Sequence, residues 1–292
     1  MAVIWAAVLL TYSVSLGNAK PLAKSELKDE NPLDMAPNSV DDMYDGCLSE
    51  MEKDVEDKYL KNEMNENKNF TEAWEKAEEH YEWKNWQLAI YVYTLPNVYL
   101  DFNTAVRNQS SKYNTTFSYH SLHFYLTQAI QNLTSNRPDE VDPAKCYTVY
   151  RRTKSYFSLD VLYREFRFGS FTSSSQGNYQ DTQKFGNKSC FKIRTCFGAD
   201  ISKYSNVSSQ REVLIPPYEV FKVTKIEKIS DNKGLPCEVV YEVDSTETNK
   251  SNLNCALFKS NSDKSNGTVS SVMLVFLMLC ILFLFHFFII IF

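Results

Sequence analysis

Three places in this 292-residue chain carry residues that could do chemistry together. Arg151 ends the run "CYTVYR", serines crowd the run "FTSSS" (Phe171 to Ser175), and Gln210 and Glu212 stand two apart in "SSQREVLIPPYEVF". The planar fork of donors on an arginine suits a phosphate or pyrophosphate. A serine hydroxyl can orient a carboxylate or a ribose. A carboxylate in a cleft can stabilise an oxocarbenium ion, as carboxylates do in glycoside cleavage. Side chains at i and i+2 of an extended chain share a face, which puts Gln210 and Glu212 together at a strand entrance. Each feature also has an ordinary reading: a surface arginine, a loop rich in serine, a solvated glutamate. Together they describe a site that grips a diphosphate and handles a ribosyl cation.

Other chemistries find little material. There is no GxGxxG, no Walker loop, no HExxH and no GxSxG elbow. Of the four histidines, His286 lies in an apolar C-terminal tail, while His120 and His123 fall among aromatic residues on a helical pattern and read as packed or surface residues. No CxxC pair or histidine cluster accompanies the cysteines, so no metal is expected. The formal net charge is −5, with both signs spread along the chain. A nucleic-acid partner would need a basic stripe, and none is present.

The elements that must position these residues change character along the chain. From Asp41 to about Glu82 the apolar residues recur at helical spacing, with Trp74, Ala77 and Tyr81 on one face. "LAIYVYTL" (Leu88 to Leu95) is a compact apolar run that reads as a strand. "NVYLDFNTAVRN" and "YHSLHFYLTQAIQNL" read as amphipathic helices. After Cys146, "CYTVYR", "FRFGSFTSSS", "SCFKIRTCFGAD", "REVLIPPYEVFKVTKIEKI" and "CEVVYEVDST" are short strand-like runs separated by turn residues. Helices first and strands after point to an α+β fold in one domain.

The ends predict export. Residues 1–19 have an apolar core and a small-residue exit at Gly17-Asn18-Ala19, the pattern of a cleaved signal peptide; a buried helix is the alternative. Residues 20–34 form a charged lead-in. At the other end 272–292 is apolar, long enough to cross a bilayer core, and follows a small, polar spacer over 260–271. That is the pattern of a glycolipid-anchor signal, with a retained transmembrane helix as the alternative. Six cysteines precede the tail, an even number that implies disulfides, with fifteen possible connectivities. Eight Asn-x-Ser/Thr sequons, at Asn69, Asn108, Asn114, Asn132, Asn187, Asn206, Asn249 and Asn266, should be exposed.

The order of the three sites resembles that of the vertebrate ecto-mono-ADP-ribosyltransferases: Arg on a strand, then aromatic-Thr-Ser-x-Ser, then x-x-Glu before "VLIPP". "DMAPNSVDDMYDGC", "YHSLHFYLTQAIQNL", "RFGSFTSSS", "FGNKSCFKIRTCFGADISKYS", "EVLIPPYEVFKV" and "SNLNC" extend the resemblance over roughly residues 35 to 255. It implies an ADP-ribosyltransferase domain over 35–259, with a helical N-terminal part packed on a split β-core and NAD, the substrate, in the cleft. Arg151 matches the arginine that holds the dinucleotide, Ser173 the active-site serine, and Glu212 the essential glutamate at the nicotinamide ribose. The family's cysteines imply the pairs Cys47–Cys255 and Cys146–Cys196, the latter worth roughly 4 kcal/mol in the chain-entropy model. Cys190 and Cys237 are left to form a third bridge. The expected enzyme is a glycolipid-anchored ectoenzyme that cleaves the nicotinamide–ribose bond and passes ADP-ribose to a protein side chain or to water.

Two positions depart from the family. Arginine-modifying members have Glu-x-Glu where this chain has Gln210-Arg211-Glu212. A neutral Gln210 offers no charge to pair with a guanidinium, which favours water; Gln-x-Glu in related toxins that modify asparagine keeps an amide acceptor open. The family has Gly after the site arginine, allowing close backbone approach to nicotinamide; here Arg152 stands at the cofactor-binding edge and could block the pocket. That departure keeps a second reading alive, an inactive family member that binds a partner at the cell surface. An unrelated disulfide-bonded adhesion domain would leave "EVLIPPYEVF" and "RFGSFTSSS" as coincidence.

Overall fold

The computed structural model describes residues 30–136, 146–179, 181–206 and 211–259. The signal pattern, most of the charged lead-in, Gln210, Asn266, the polar spacer and the apolar tail lie outside the described residues. Among the described residues no helix is long and apolar enough to cross a membrane.

The N-terminal half is helical. Helix α1 (Leu48–Asp54) runs through a π-helical turn, Val55–Tyr59, into α2 (Leu60–Glu66). Asn67 then turns extended, and its side chain accepts from Phe70 N to cap α3 (Lys68–His80), the usual role of asparagine at a helix start. Phe70, Trp74 and Ala77 are fully buried on one face of α3. Helices α4 (Asn85–Tyr93), α5 (Pro96–Asn108) and α6 (His120–Ser135) complete the layer.

Helix α4 overturns the strand expected over Leu88 to Leu95. Every residue from Leu88 to Tyr93 is buried, so the run is apolar on all sides, and a short run of that kind carries no period to distinguish helix from strand. The deciding signals flank it. The Gln87 side chain accepts from Lys84 N at 2.8 Å to close the first turn, and Pro96 opens α5 directly after.

The C-terminal half is β-structure. Its strands are β2 (Tyr147–Thr153), β4 (Glu165–Phe166), β5 (Thr172–Gln176), β6 (Ser189–Thr195), β7 (Ala199–Asp200), β8 (Glu212–Ile215), β9 (Glu219–Lys228) and β10 (Val239–Asn249). They form one sheet in the order β4-β9-β10-β6-β2-β5-β8-β7, antiparallel except where β10 runs parallel to β6. Two short strands, β1 (Glu30–Asn31) and β3 (Tyr156–Phe157), pair apart from it, and a single helical turn, α7 (Thr182–Phe185), joins β5 to β6. One apolar cluster lies among the helices and reaches Leu214 and Ala199 on the last two strands. A second is built by the β-strands, from Val149, Phe191, Ile193, Val213 and Ile215 among others. The sheet is thus the shared wall of two cores.

Disulfides join Cys47 to Cys255, Cys146 to Cys196 and Cys190 to Cys237. The first ties α1 to the segment after β10, the second joins the neighbouring strands β2 and β6, and the third fastens β6 to the loop before β10. All seven described sequon asparagines are exposed. His120 and His123 are buried structural residues. His123 Nδ1 accepts from the Tyr44 hydroxyl at 2.7 Å and Nε2 faces Val40 O at 3.0 Å, while burial pushes the ring down to about 4. Neither is available as a base in solvent.

Candidate active site

The site forms where the sheet splits. Strand β2 pairs with β6 over its whole length, Tyr147 to Thr153. It meets β5 only at Val149↔Gln176 and Tyr150↔Ser175. Arg151 is the first residue past that seam. Its Nη1 donates across the gap to Ser173 O at 2.5 Å, and the Tyr99 hydroxyl of α5 is a further hydrogen-bond partner. Burial works against the Arg151 charge, but Tyr99, Tyr93 and Glu212 outweigh it, so its pKa is held above the ordinary arginine value.

Strands β5 and β8 pair with Ser173 opposite Leu214 and Ser175 opposite Glu212. The "FTSSS" run offers three hydroxyls, and the structure sorts them. Ser174 Oγ donates to Val213 O at 2.9 Å and Ser175 Oγ to Asn178 O at 2.6 Å. Ser173 alone of the three hydrogen-bonds the Glu212 carboxylate. The Tyr93 hydroxyl of α4 lies 3.3 Å from Ser173 Oγ and donates to Phe171 O, while it accepts from Asn103 Nδ2 of α5 at 3.2 Å. Helices α4 and α5 therefore hold the serine that holds the carboxylate.

Glu212 is only 7% exposed, not the solvated residue its place at a strand entrance suggests. Ser205 Oγ donates to its Oε2 at 3.2 Å. Burial pushes the carboxyl above the usual range; the hydroxyls of Ser173 and Ser205 and the Arg151 charge, which favour the ionised form, pull it back. Arg211, just before it, takes a left-handed backbone (φ 44°), a cost that persists where the surroundings enforce it. Its side chain stays exposed and donates to Gln176 Oε1 at 3.0 Å.

Arg152 goes elsewhere. Its Nη1 donates to Pro236 O at 2.8 Å, and its guanidinium lies over the Tyr179 ring, 5.4 Å from the centroid. Beside Arg151 opens a cleft of about 460 Å³, lined by Arg107, Thr172, Phe191 and by Asp34 and Asn38 of an N-terminal strap, the irregular segment between β1 and α1. Arg107 of α5 donates to Ser170 Oγ at 2.7 Å; burial, and then Arg151, lower its pKa. Two cations around one cleft suit an anionic ligand. A desolvated carboxylate beyond them suits a cation that develops as the ligand reacts.

The sequence reading did not find Tyr93, Tyr99, Arg107 or Ser205. Tyr93 lay in the run read as a strand. Tyr99 and Arg107 stand eight apart, which on a helix is one face, and that spacing was the available signal.

Comparison with known proteins agrees across residues well beyond the site. The family model for NAD:arginine ADP-ribosyltransferase matches residues 33–237. The human ecto-ADP-ribosyltransferase 4 is 35% identical over 265 residues, covering 85% of this chain and 80% of the relative. The mouse ecto-ADP-ribosyltransferase 5 is 35% identical over 258 residues, covering 82% and 80%. Among solved structures, a mutant of the eukaryotic mono-ADP-ribosyltransferase ART2.2 in complex with NAD superposes with a TM-score of 0.60 at 31% identity, covering 77% of this chain and 98% of that one.

Proposed function

The chain belongs to the NAD:arginine ADP-ribosyltransferase family, and from that premise we propose how its own residues carry NAD-dependent mono-ADP-ribosyl transfer. NAD is the substrate. Its pyrophosphate lies along Arg151 in the cleft that Arg107 also lines. Glu212 holds the 2′-hydroxyl of the nicotinamide ribose and stabilises the oxocarbenium ion as the bond to nicotinamide breaks. Nicotinamide leaves neutral with the bonding electron pair, and the acceptor forms the new bond to the ribose carbon and gives up its proton. Ser173 fixes the carboxylate for this step. The observation that supports the reading most is the burial of Glu212 with two hydroxyls and Arg151 arranged around it, because a desolvated charge acts most strongly on a developing cation. The full chain, expressed in mammalian cells and given NAD, is expected to release nicotinamide. Absence of release together with absence of NAD binding would refute the assignment and restore the partner-binding glycoprotein. Arg152, the departure that favoured that alternative, has its guanidinium engaged by Pro236 and Tyr179.

Gln210 selects the acceptor. It offers no charge to a guanidinium, and a charge-assisted contact is worth about 1.5–3 kcal/mol. Water needs no such contact, so hydrolysis to ADP-ribose outruns transfer to arginine. Gln210→Glu is expected to raise transfer to a small guanidino compound by roughly one to two decades, read as modified product per nicotinamide released. Equal transfer by both forms would show that this position does not choose.

The pH dependence follows from Glu212. The carboxylate must be ionised to act, and burial raises its pKa above 4.5. The acid limb of nicotinamide release is therefore expected above the ordinary glutamate range. Ser205→Ala removes a bond that favours the ionised form and should shift the limb further up. An acid limb below pH 4.5 would contradict this.

The cell surface is the location of the ectoenzymes this chain resembles. The 272–292 tail and 260–271 spacer support delivery there on a glycolipid anchor, with the transferase domain spanning 35–259.

A further inference from the structure

Two of the sequons stand beside charged groups of the site, Asn108 on the cleft with Arg107 and Arg151, and Asn206 next to the serine that touches Glu212. Asn108 ends α5 immediately after Arg107, is exposed, and lines the cleft with Arg151. Its Nδ2 donates to Thr104 O at 3.1 Å, a bond that the one hydrogen left on a glycosylated amide still allows. Asn206 is exposed and follows directly on Ser205, whose hydroxyl touches Glu212. Consecutive Cα atoms lie about 3.8 Å apart, so a glycan on Asn206 begins one residue from a group that contacts the carboxylate. Its base is fixed, because Asn206 N donates to Thr94 Oγ1 at 2.9 Å at the end of α4.

We propose that N-glycans on Asn108 and Asn206 restrict the acceptor, admitting NAD and water to the cleft while holding protein surfaces away from Glu212. The proposal rests on the enzymatic reading above and adds what decides between its two acceptors. A dinucleotide enters a cleft end-on. A folded protein that presents a side chain must lay a surface across the mouth, and specific contacts of that kind bury about 800 Å² per partner. Bulky, hydrated glycans at the rim obstruct the second approach and leave the first open. Their effect adds to that of Gln210, because steric exclusion acts on proteins of any side-chain chemistry.

The test uses the full chain in mammalian cells, with Ser110→Ala and Ser208→Ala removing the two sequons singly and together while each asparagine stays. Asn132→Gln, which removes a sequon on α6, is the control. Peptide mass spectrometry reads occupancy, and biotin-tagged NAD reads ADP-ribose incorporated into surface proteins, divided by nicotinamide released. Endoglycosidase trimming of the folded wild-type protein covers variants that fold poorly. The expected result is occupancy at both asparagines and a ratio at least tenfold higher in the double variant and after trimming, with nicotinamide release itself changed less than twofold and the control unchanged. Bare asparagines, or an unchanged ratio while nicotinamide release persists, would overturn the proposal alone. Absence of nicotinamide release from every form would overturn the enzymatic reading and this proposal with it.

Discussion

Glu212→Gln is expected to lower nicotinamide release by at least 10²–10³-fold, the scale on which removal of one preorganised electrostatic contact acts, with NAD affinity within a few-fold of wild type. The amide has the shape of the carboxylate and can still accept from Ser173 or Ser205. It has no charge to set against the oxocarbenium ion. The loss therefore falls on the transition state and should appear in kcat rather than in KM. Stability should move the other way. The fold raises the Glu212 pKa, so its contribution to stability is full below the unfolded-state value near 4.3 and is lost as pH rises through the folded value. At neutral pH the wild-type protein holds a buried charge at a cost that the amide removes. The variant is expected to melt at the same temperature or higher. Activity within tenfold of wild type would remove Glu212 from the mechanism. Lost activity with a lower melting temperature would show instead a carboxylate that serves packing.

The legible part of this protein and the illegible part differ in physical kind. Glu212 does open β8, but the shared face expected from period two does not carry back to Gln210, which lies outside the described residues, because Arg211 between them has a left-handed backbone (φ 44°). The α+β order was readable from periodicity, and the exposure of the sequons from chemistry. What the residues alone could not give is burial: Glu212 looks solvated in sequence and is enclosed by groups from other parts of the sheet, Ser173 of β5 and Arg151 of β2, and by Ser205 of the preceding loop. The run "FTSSS" named three equivalent serines, and only their hydrogen bonds in the fold separate Ser173, on Glu212, from Ser174, on Val213 O, and Ser175, on Asn178 O. The misread run, Leu88 to Leu95, failed for a related cause. A segment buried on every side shows no amphipathic period, and with it went Tyr93, whose hydroxyl supports Ser173. Arg152 was legible as a departure but not in direction, since nothing local says that its guanidinium turns to Pro236 O.

Arg167→Ala is expected to cost about 3–5 kcal/mol, the cost of removing one partner from a buried ion pair. Arg167 Nη1 lies 2.6 Å from Asp41 Oδ2, and both side chains are fully buried. The guanidinium also donates to Met35 O, Ala36 O and Lys250 O, and Asp41 accepts from Asn252 N and Leu253 N. The pair thus fastens three distant segments: the N-terminal strap, the turn between β4 and β5, and the chain after β10. Gly169 lets them meet, since with φ +68° a Cβ there would stand 2.5 Å from Ala36 Cβ. In Arg167→Ala the Asp41 charge stays buried without its partner, which is why one truncation costs more than the net worth of the pair. Replacing both by apolar residues, Asp41→Leu with Arg167→Met, should cost less than the sum of the single changes. Urea unfolding of the four forms measures this, and additive losses would show that the two charges act independently. The strap that this pair anchors supplies Asp34, Ala36, Pro37 and Asn38 to the wall facing Arg151 and Arg107. Loosening it should therefore raise KM for NAD while kcat, set by Glu212 on the far side of the split, changes little. The clamp and the carboxylate then separate in one experiment, the first through binding and the second through chemistry.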